Sequence, residues 1–224
     1  MRILLVSTSR PESSYLHKAL RESAHSLQVT NDVRDAMYLA SQDAFDAIVI
    51  VVGQEVRRDE LHSTLPSFAR LANRPSTILM LGHAAPGERA RMLRAGADAC
   101  FVLPYSIIEM QERLAALRRL SQHHMRASPQ DELARLDPRT HEFVEGSQRL
   151  SVTKREYLVI ECLLRHVNGP VARDNLIRYA WAEADDVDPA SVNVVISRLR
   201  RKMRQQGFTT QVETINHFGY RLVH

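Results

Sequence analysis

"PASVNVVISRLRRKMRQQ", residues 189–206, is the stretch on which the fold of this chain turns. Val192, Ile196, Leu199 and Met203 recur at the spacing of a single apolar stripe on an α-helix. Val194, Ser197, Arg198, Arg201 and Arg204 then face away from the core. Arg198, Arg200, Arg201, Lys202 and Arg204 place five cations within seven residues, with no acid among them. In water these charges repel one another, and a polyanion laid along the helix would relieve the repulsion. A basic face that is merely solvated is the competing reading. The surroundings weigh against it: from Pro189 to His224 there are six basic residues and one acid, Glu213, and a hairpin follows the helix.

Asp188 and Pro189 cap this helix at its start. Before it lie the loop "AEADDVD", a short helix "ARDNLIRYAW" and a longer helix "KREYLVIECLLRHV". Thr153 and Glu156 open the longer helix as a capping box, and Asn168-Gly169-Pro170 close it. After the basic helix come two strands, "QVETIN" and "YRLVH", around the turn "HFG". Three helices and a terminal hairpin describe a winged helix-turn-helix, preceded by strand-like pieces "LARLDP", "HEFVEG" and "QRLSVT". Residues 130–224 are expected to form this domain. The polar stretch "SQHHMRASPQDE" breaks the helical period and contains Pro129, so residues 122–129 read as a linker. The His123–His124 pair lacks the carboxylates or cysteines that would complete a metal site.

Residues 1–121 have a different rhythm. The apolar runs "ILLV", "LQVT", "FDAIVIVV", "STILML" and "CFVL" alternate with helix-like segments, the last carrying Ile107, Met110, Leu114 and Leu117 on one face. Five strands, each followed by a helix, predict an α/β domain, a doubly wound (βα)5 parallel sheet with any site at the carboxyl ends of its strands. A length of 224 residues suits two such domains. No apolar run approaches the roughly 18 residues of a membrane span, and "MRILLV" reads as a first strand rather than a leader. Cys100 and Cys162 read as buried thiols, and the chain as cytoplasmic. No nucleophile–base pair or metal-ligand pattern is visible, so neither an enzyme nor a cofactor is expected.

The second half closely resembles the OmpR/PhoB class of two-domain response regulators, through "LSVTKREYLVIECLLRHVNGPVARDNLIRYAW", "SVNVVISRLRRKM" and "VETINHFGYRL". In the first half, "MRILLV", "FDAIVIV" and "AGADACFVLPY" look like the receiver domain of that class. The resemblance implies a phosphoacceptor Asp at the end of the third strand, and Val51 stands there. Ser7 and Thr8 replace the acidic pair that binds Mg²⁺, Gly82 the switch Thr or Ser, and Leu103 the Lys. Nucleophile, metal carboxylates and phosphate-neutralising cation are each needed for the chemistry. Asp46 cannot substitute, because five residues of strand put it roughly 16 Å away. Asp43, Glu55 and Asp98 have no partners that would rebuild the pocket. The expectation is a degenerate receiver that works without phosphorylation and still forms a homodimer. Its pairing face, by resemblance, includes Arg89, Leu93, Asp98, Tyr105, Glu109 and Arg113, with Ala99 standing where an acid is usual.

For the second half the resemblance implies a sequence-specific regulator of transcription. Helix 189–206 would lie in the major groove of double-stranded DNA and wing 211–224 on the adjacent minor groove. Ser191, Val194, Val195 and Arg198 match the base-reading positions, with Arg198 able to clasp a guanine, and Asn193 and Ser197 are further DNA-binding candidates on the helix. Arg200, Arg201, Lys202 and Arg204 are assigned to phosphates, helped by Thr214 and Tyr220 from the hairpin. Asn216 takes the place of the wing Arg, His217 that of the turn Gly, Val195 that of a common His and Ala190 that of a basic residue. A dimer would suit direct-repeat or paired half-sites. Glu183, Asp185 and Asp186 could meet RNA polymerase, although a solvated loop capped by Asp188 explains them equally. Two other readings stay open: a regulator gated by a small ligand in the emptied receiver, and a protein-interaction adaptor.

Overall fold

The computed structural model describes residues 1–7, 11–23, 25–53, 58–125, 134–184 and 186–224. The chain divides into two compact units, Met1–Met125 and Arg126–His224.

In the first unit, strands β1 (Arg2–Val6), β2 (Ser26–Thr30), β3 (Ala47–Val52), β4 (Ser76–Leu81) and β5 (Ala99–Val102) form one sheet in the order β2-β1-β3-β4-β5. All its pairings are parallel. Helices α1 (Pro11–Glu22), α2 (Val33–Gln42), α3 (Arg58–Ala69), α4 (Pro86–Ala95) and α5 (Ile107–Met125) connect and follow the strands. Because side chains alternate along a strand, each strand feeds two cores. Leu4, Val6, Ile48, Ile50, Leu79 and Leu81 pack with α2, α3 and α4. Ile3, Leu5, Ala47, Val49, Ile78 and Met80 pack with α1 and α5. The near-continuous apolar runs in the sequence are thus strands covered on both faces. Asp46 lies at the opposite end of β3 from the expected site, its carboxylate accepting the Arg2 amide at 2.7 Å.

The expected linker is corrected at one end. α5 runs on to Met125, because Ser121, Gln122, His123, His124 and Met125 include neither glycine nor proline to stop it. Residues 126–129 of that linker lie outside the described residues.

The second unit holds an antiparallel sheet of β6 (Ala134–Asp137), β7 (Glu142–Glu145) and β8 (Gln148–Ser151). Helices α6 (Lys154–Leu164), α7 (Arg173–Ala180) and α8 (Ala190–Gln205) follow, and the hairpin β10 (Gln211–Ile215) and β11 (Gly219–Val223) ends the chain. The capping box is formed: Thr153 accepts the Glu156 amide while Glu156 accepts the Thr153 amide at 2.8 Å. A two-residue strand, β9 (Val171–Ala172), pairs with β11 and was not foreseen. Gly219 sits so close to it that a Cβ would run into the Val171 carbonyl oxygen. Glu145, buried at the end of β7, accepts from the Thr209 amide at 2.7 Å, the Thr209 hydroxyl at 2.9 Å, the Thr210 amide at 2.9 Å and the Thr210 hydroxyl. This carboxylate ties β7 to the turn beyond α8.

Candidate nucleic-acid interface

α8 buries Val192, Ile196, Leu199 and Met203 and exposes Asn193, Val194, Ser197, Arg198, Arg201 and Arg204. Ser191 and Val195 are half-buried beside that face. Asp188 accepts the Ala190 amide at 2.8 Å from one residue before the N-cap, which is Pro189, and the helix starts at Ala190.

The five cations divide into two groups. Arg198, Arg201 and Arg204 lie on the exposed face, with the Arg204 Nε 3.4 Å from the Arg200 carbonyl oxygen. Arg200 and Lys202 turn inward. Arg200 donates from Nε to the Val212 carbonyl at 2.6 Å and from Nη2 to the Thr214 hydroxyl at 2.8 Å. Lys202 donates to the Glu156 carboxylate at 2.7 Å and to the Ser151 carbonyl at 3.4 Å. Burial pushes the Glu156 carboxyl upward, but the Lys202 bond and the Thr153 amide outweigh it and hold the group below its ordinary range. One cation thus docks α8 on the wing and the other docks it on the start of α6.

Tyr220 turns inward in the same way. Its ring is buried, and its hydroxyl donates its single proton to the Asn193 side-chain oxygen at 2.6 Å. Two guanidiniums, those of Arg173 and Arg200, lie 5.9 and 5.8 Å from the ring centroid. Thr214 is exposed and holds Arg200. Arg173 was not singled out from the sequence, since one arginine at a helix start has no distinguishing pattern. In the wing turn, Asn216, His217 and Phe218 are exposed, and His217 adopts a left-handed backbone with φ 58°.

The acidic loop is less open than its composition implies. Glu183 is paired with Arg155, which also donates to the Ala180 carbonyl and lies over the Trp181 ring at 5.3 Å. Burial raises the Glu183 carboxyl and Arg155 more than reverses this, leaving it below its ordinary range. Asp186 and Asp188 are exposed, and Asp185 lies outside the described residues.

In the first unit, Ser7, Val51, Gly82 and Leu103 do gather at the carboxyl ends of the strands. The Ser7 amide bonds the Thr30 carbonyl at 2.9 Å, and the Leu103 amide bonds the Gly82 carbonyl at 3.1 Å. Val51 is half-buried and packs with Phe101, Tyr105 and Leu117 on the α1 and α5 core. A Cβ on Gly82 would meet nothing within 4 Å, so crowding does not dictate a glycine there. Thr8 lies outside the described residues, as does Glu55.

Residues 147–222 match the family described as "Transcriptional regulatory protein, C terminal". Over nearly its whole length the chain is similar to the response regulator MprA of Mycobacterium avium, 27% identical over 235 residues covering 98% of this chain and 97% of that one. It is similar also to the two-component response regulator PhoP of Pseudomonas aeruginosa, 26% identical over 223 residues covering 98% and 97%. Residues 147–222 form a domain of that transcriptional regulatory family, and the chain's homologues are OmpR/PhoB-type response regulators. Among solved structures, a member of a family of streptococcal redox sensors evolved from two-component response regulators covers 99% of it at 20% identity, with a TM-score of 0.47. The match over residues 147–222 supports DNA binding by the second unit. Among the described residues no helix is long and apolar enough to cross a membrane.

On the expected pairing face of the response regulator, Leu93, Asp98, Glu109 and Arg113 are exposed, whereas Arg89 and Tyr105 are half-buried. Tyr105 packs on the domain's own core. The Asp98 carboxylate accepts the Thr77 amide at 2.7 Å, and partial burial still raises it above its ordinary range, against the pull of that bond and of Arg113. Cys100 is half-buried and its thiol is pushed up to about 11 by burial, against the pull of Arg89. A neutral thiol of this kind is a weak nucleophile.

Proposed function

We propose that this response regulator is a homodimeric, sequence-specific transcription regulator whose DNA binding does not depend on phosphoryl transfer. The observation that carries the reading is Val51. It stands at the phosphoacceptor position and contributes its side chain to the α1 and α5 core. Ser7, Gly82 and Leu103 surround the same sheet end and offer no carboxylate, no ammonium and no side-chain hydroxyl beyond that of Ser7. Among these described residues a phosphoryl group would find neither a carboxylate nucleophile nor an ammonium.

On the DNA side, Arg198 reads a guanine edge, Val194 and Val195 pack on thymine methyls, and Ser191, Asn193 and Ser197 complete the base-facing surface. Arg201 and Arg204 bind phosphates, while Arg200, Lys202 and Tyr220 hold the helix at its angle. Asn216 reaches the minor groove. The receiver-like unit supplies the dimer through Leu93 with Arg89, Asp98, Tyr105, Glu109 and Arg113. Exposed ion pairs are each worth under about 1 kcal/mol, so Leu93 and its apolar neighbours provide the adhesion and the charges the register. Among the described residues of the loop, Asp186 is the exposed acid free to meet RNA polymerase, since Glu183 is paired with Arg155.

The test is selection of genomic fragments by the full chain at physiological salt, with and without acetyl phosphate and Mg²⁺. The expected result is the same repeated motif in both arms, with half-sites about 10 to 11 bp apart, and no phosphoryl adduct by intact mass. A motif that appears or sharpens with the phosphodonor would overturn phosphorylation independence. A single unrepeated site would overturn the dimer.

A further inference from the structure

The wing of this protein is chemically unlike a cationic probe. Between Gln205 and Tyr220 the sequence has no arginine or lysine, and its single acid, Glu213, is held by Arg221 at 2.6 Å. At the tip it presents an amide, an imidazole and an aromatic ring, those of Asn216, His217 and Phe218. The Phe218 ring is 50% exposed, on a backbone fixed from both sides. Its amide donates to the Ile215 carbonyl at 3.1 Å, and its carbonyl accepts the Arg173 amide at 3.2 Å. The next residue, Gly219, is pressed against β9 too closely to admit a side chain.

This tip is also rigidly joined to α8. Tyr220 bonds Asn193 at 2.6 Å, and Arg200 bonds the Val212 carbonyl at 2.6 Å and Thr214 at 2.8 Å. The backbone that carries a half-exposed aromatic ring is therefore held in one place relative to the helix proposed to enter the major groove. Such a ring gains little from phosphates but a great deal from a base face.

We propose that Phe218 is an apolar wedge: with α8 docked, its ring enters the adjacent minor groove and inserts against one base step. Insertion partly unstacks the step and kinks the duplex, and the cost is lowest at flexible pyrimidine–purine steps. Asn216 beside it hydrogen-bonds the base-edge acceptors that line the minor groove. The wedge makes the protein selective for a deformable step at a fixed distance from the bases read by Arg198. This inference rests on the DNA-binding role of the second unit and not on phosphorylation independence.

The experiment uses the full chain and a duplex recovered by its own selection, with 2-aminopurine replacing an adenine at the wing-side step. Wild type is compared with Phe218→Ala, Phe218→Trp and Asn216→Arg. Wild type and Phe218→Trp should raise the 2-aminopurine fluorescence and bend the duplex. Phe218→Ala should do neither and should bind about tenfold more weakly, the size of one lost base–aromatic stack. Its dependence on salt should be unchanged, because an apolar contact releases no counterion, whereas Asn216→Arg should steepen it by about one unit. An unchanged melting temperature shows that Phe218→Ala is folded. If folded Phe218→Ala binds and bends DNA as wild type does, the wedge is wrong. If it loses transcription with polymerase while its DNA binding is intact, the ring docks on a protein and the wedge is again wrong. If wild type selects no duplex at all, the DNA-binding role itself fails along with the wedge.

Discussion

The carboxyl ends of the first sheet and the exposed face of α8 hold equivalent places in their domains. Each is where a finished scaffold leaves side chains free for chemistry. On the sheet, Val51, Gly82 and Leu103 stand where the proposed reading expects phosphorylation chemistry, and Val51 packs half-buried against the core. On α8, Arg198, Arg201 and Arg204 keep their charge and their exposure. Both scaffolds are intact: the strands still alternate between two cores, and α8 still buries its stripe of four. Apolar pattern and reactive side chains are thus separate layers of the sequence, and one can be lost without the other. The inward-turned Arg200 and Lys202 show a third category, charged residues that belong to the scaffold.

The largest expected effect concerns that third category. The two units differ in how their buried acids behave. Glu145 is pushed up by burial, but bonds from Thr210 and Thr209 outweigh this and hold it below its ordinary range; Glu156 and Glu183 are likewise depressed. In the first unit Asp98 is raised. A depressed carboxyl contributes stability above its unfolded value, lost as pH falls through the lower folded value. A raised one contributes below its unfolded value and loses that contribution as pH rises. Acidification from pH 7 to below about pH 4.3 should therefore weaken the second unit while relieving Asp98 in the first. Glu145→Ala should cost the second unit about 2 kcal/mol at pH 7, by stranding the Thr209 and Thr210 donors. Calorimetry resolving two transitions checks both, and equal acid sensitivity of the two would remove the distinction.

Next comes the exposed face of α8. Arg198→Ala should weaken specific binding by about 1.4 kcal/mol, tenfold, and relax the preference at one base pair. Arg201→Ala should weaken all sequences alike and lower the salt slope by about one unit. Lys202→Ala should leave that slope alone and lower the melting temperature of the second unit, because its partner is Glu156. Salt titrations of the three variants by anisotropy separate these roles. A Lys202→Ala variant that matched Arg201→Ala would return Lys202 to the phosphates.

These roles could not be read from sequence. The five β runs and the α8 stripe were legible because burial imposes a period on consecutive residues. Winged-helix elements were legible through the Thr153–Glu156 box and the Asp188 cap, both local. β9 was invisible, since two residues carry no period. The end of α5 is not marked in the sequence, because the polarity of residues 121–125 suggests a break while no glycine or proline makes one. Arg200 and Lys202 were indistinguishable from Arg201 on the helix; their partners lie 12 and 46 residues away, and only the fold brings them together.

A smaller effect tests whether the first sheet can be refilled. Val51→Asp should cost about 1 kcal/mol, since a carboxylate enters a partly buried site with no cation at Leu103 to meet it. It should form no phosphoryl adduct with acetyl phosphate and Mg²⁺, because Ser7 and Gly82 do not supply the rest of the chemistry. Intact mass and thermal melting of the variant check both statements. An adduct on Asp at this position would mean that the scaffold retains more of the receiver than its side chains show.

The smallest effect sits at the wing tip. His217 occupies a left-handed conformation, φ 58°, where a Cβ is strained against the following carbonyl oxygen. His217→Gly removes that strain but frees the unfolded chain, and the two terms nearly offset. A net gain of about 0.5 kcal/mol in stability is expected. If the wing works by holding Phe218 in place, this variant should bind DNA no more tightly despite being more stable, because a glycine loosens the turn that carries the ring. Denaturant melts paired with binding isotherms measure the two quantities separately. Tighter binding by His217→Gly would show that the ring needs freedom rather than fixation, and would set the wing apart from the rigid helix to which Tyr220 and Arg200 join it.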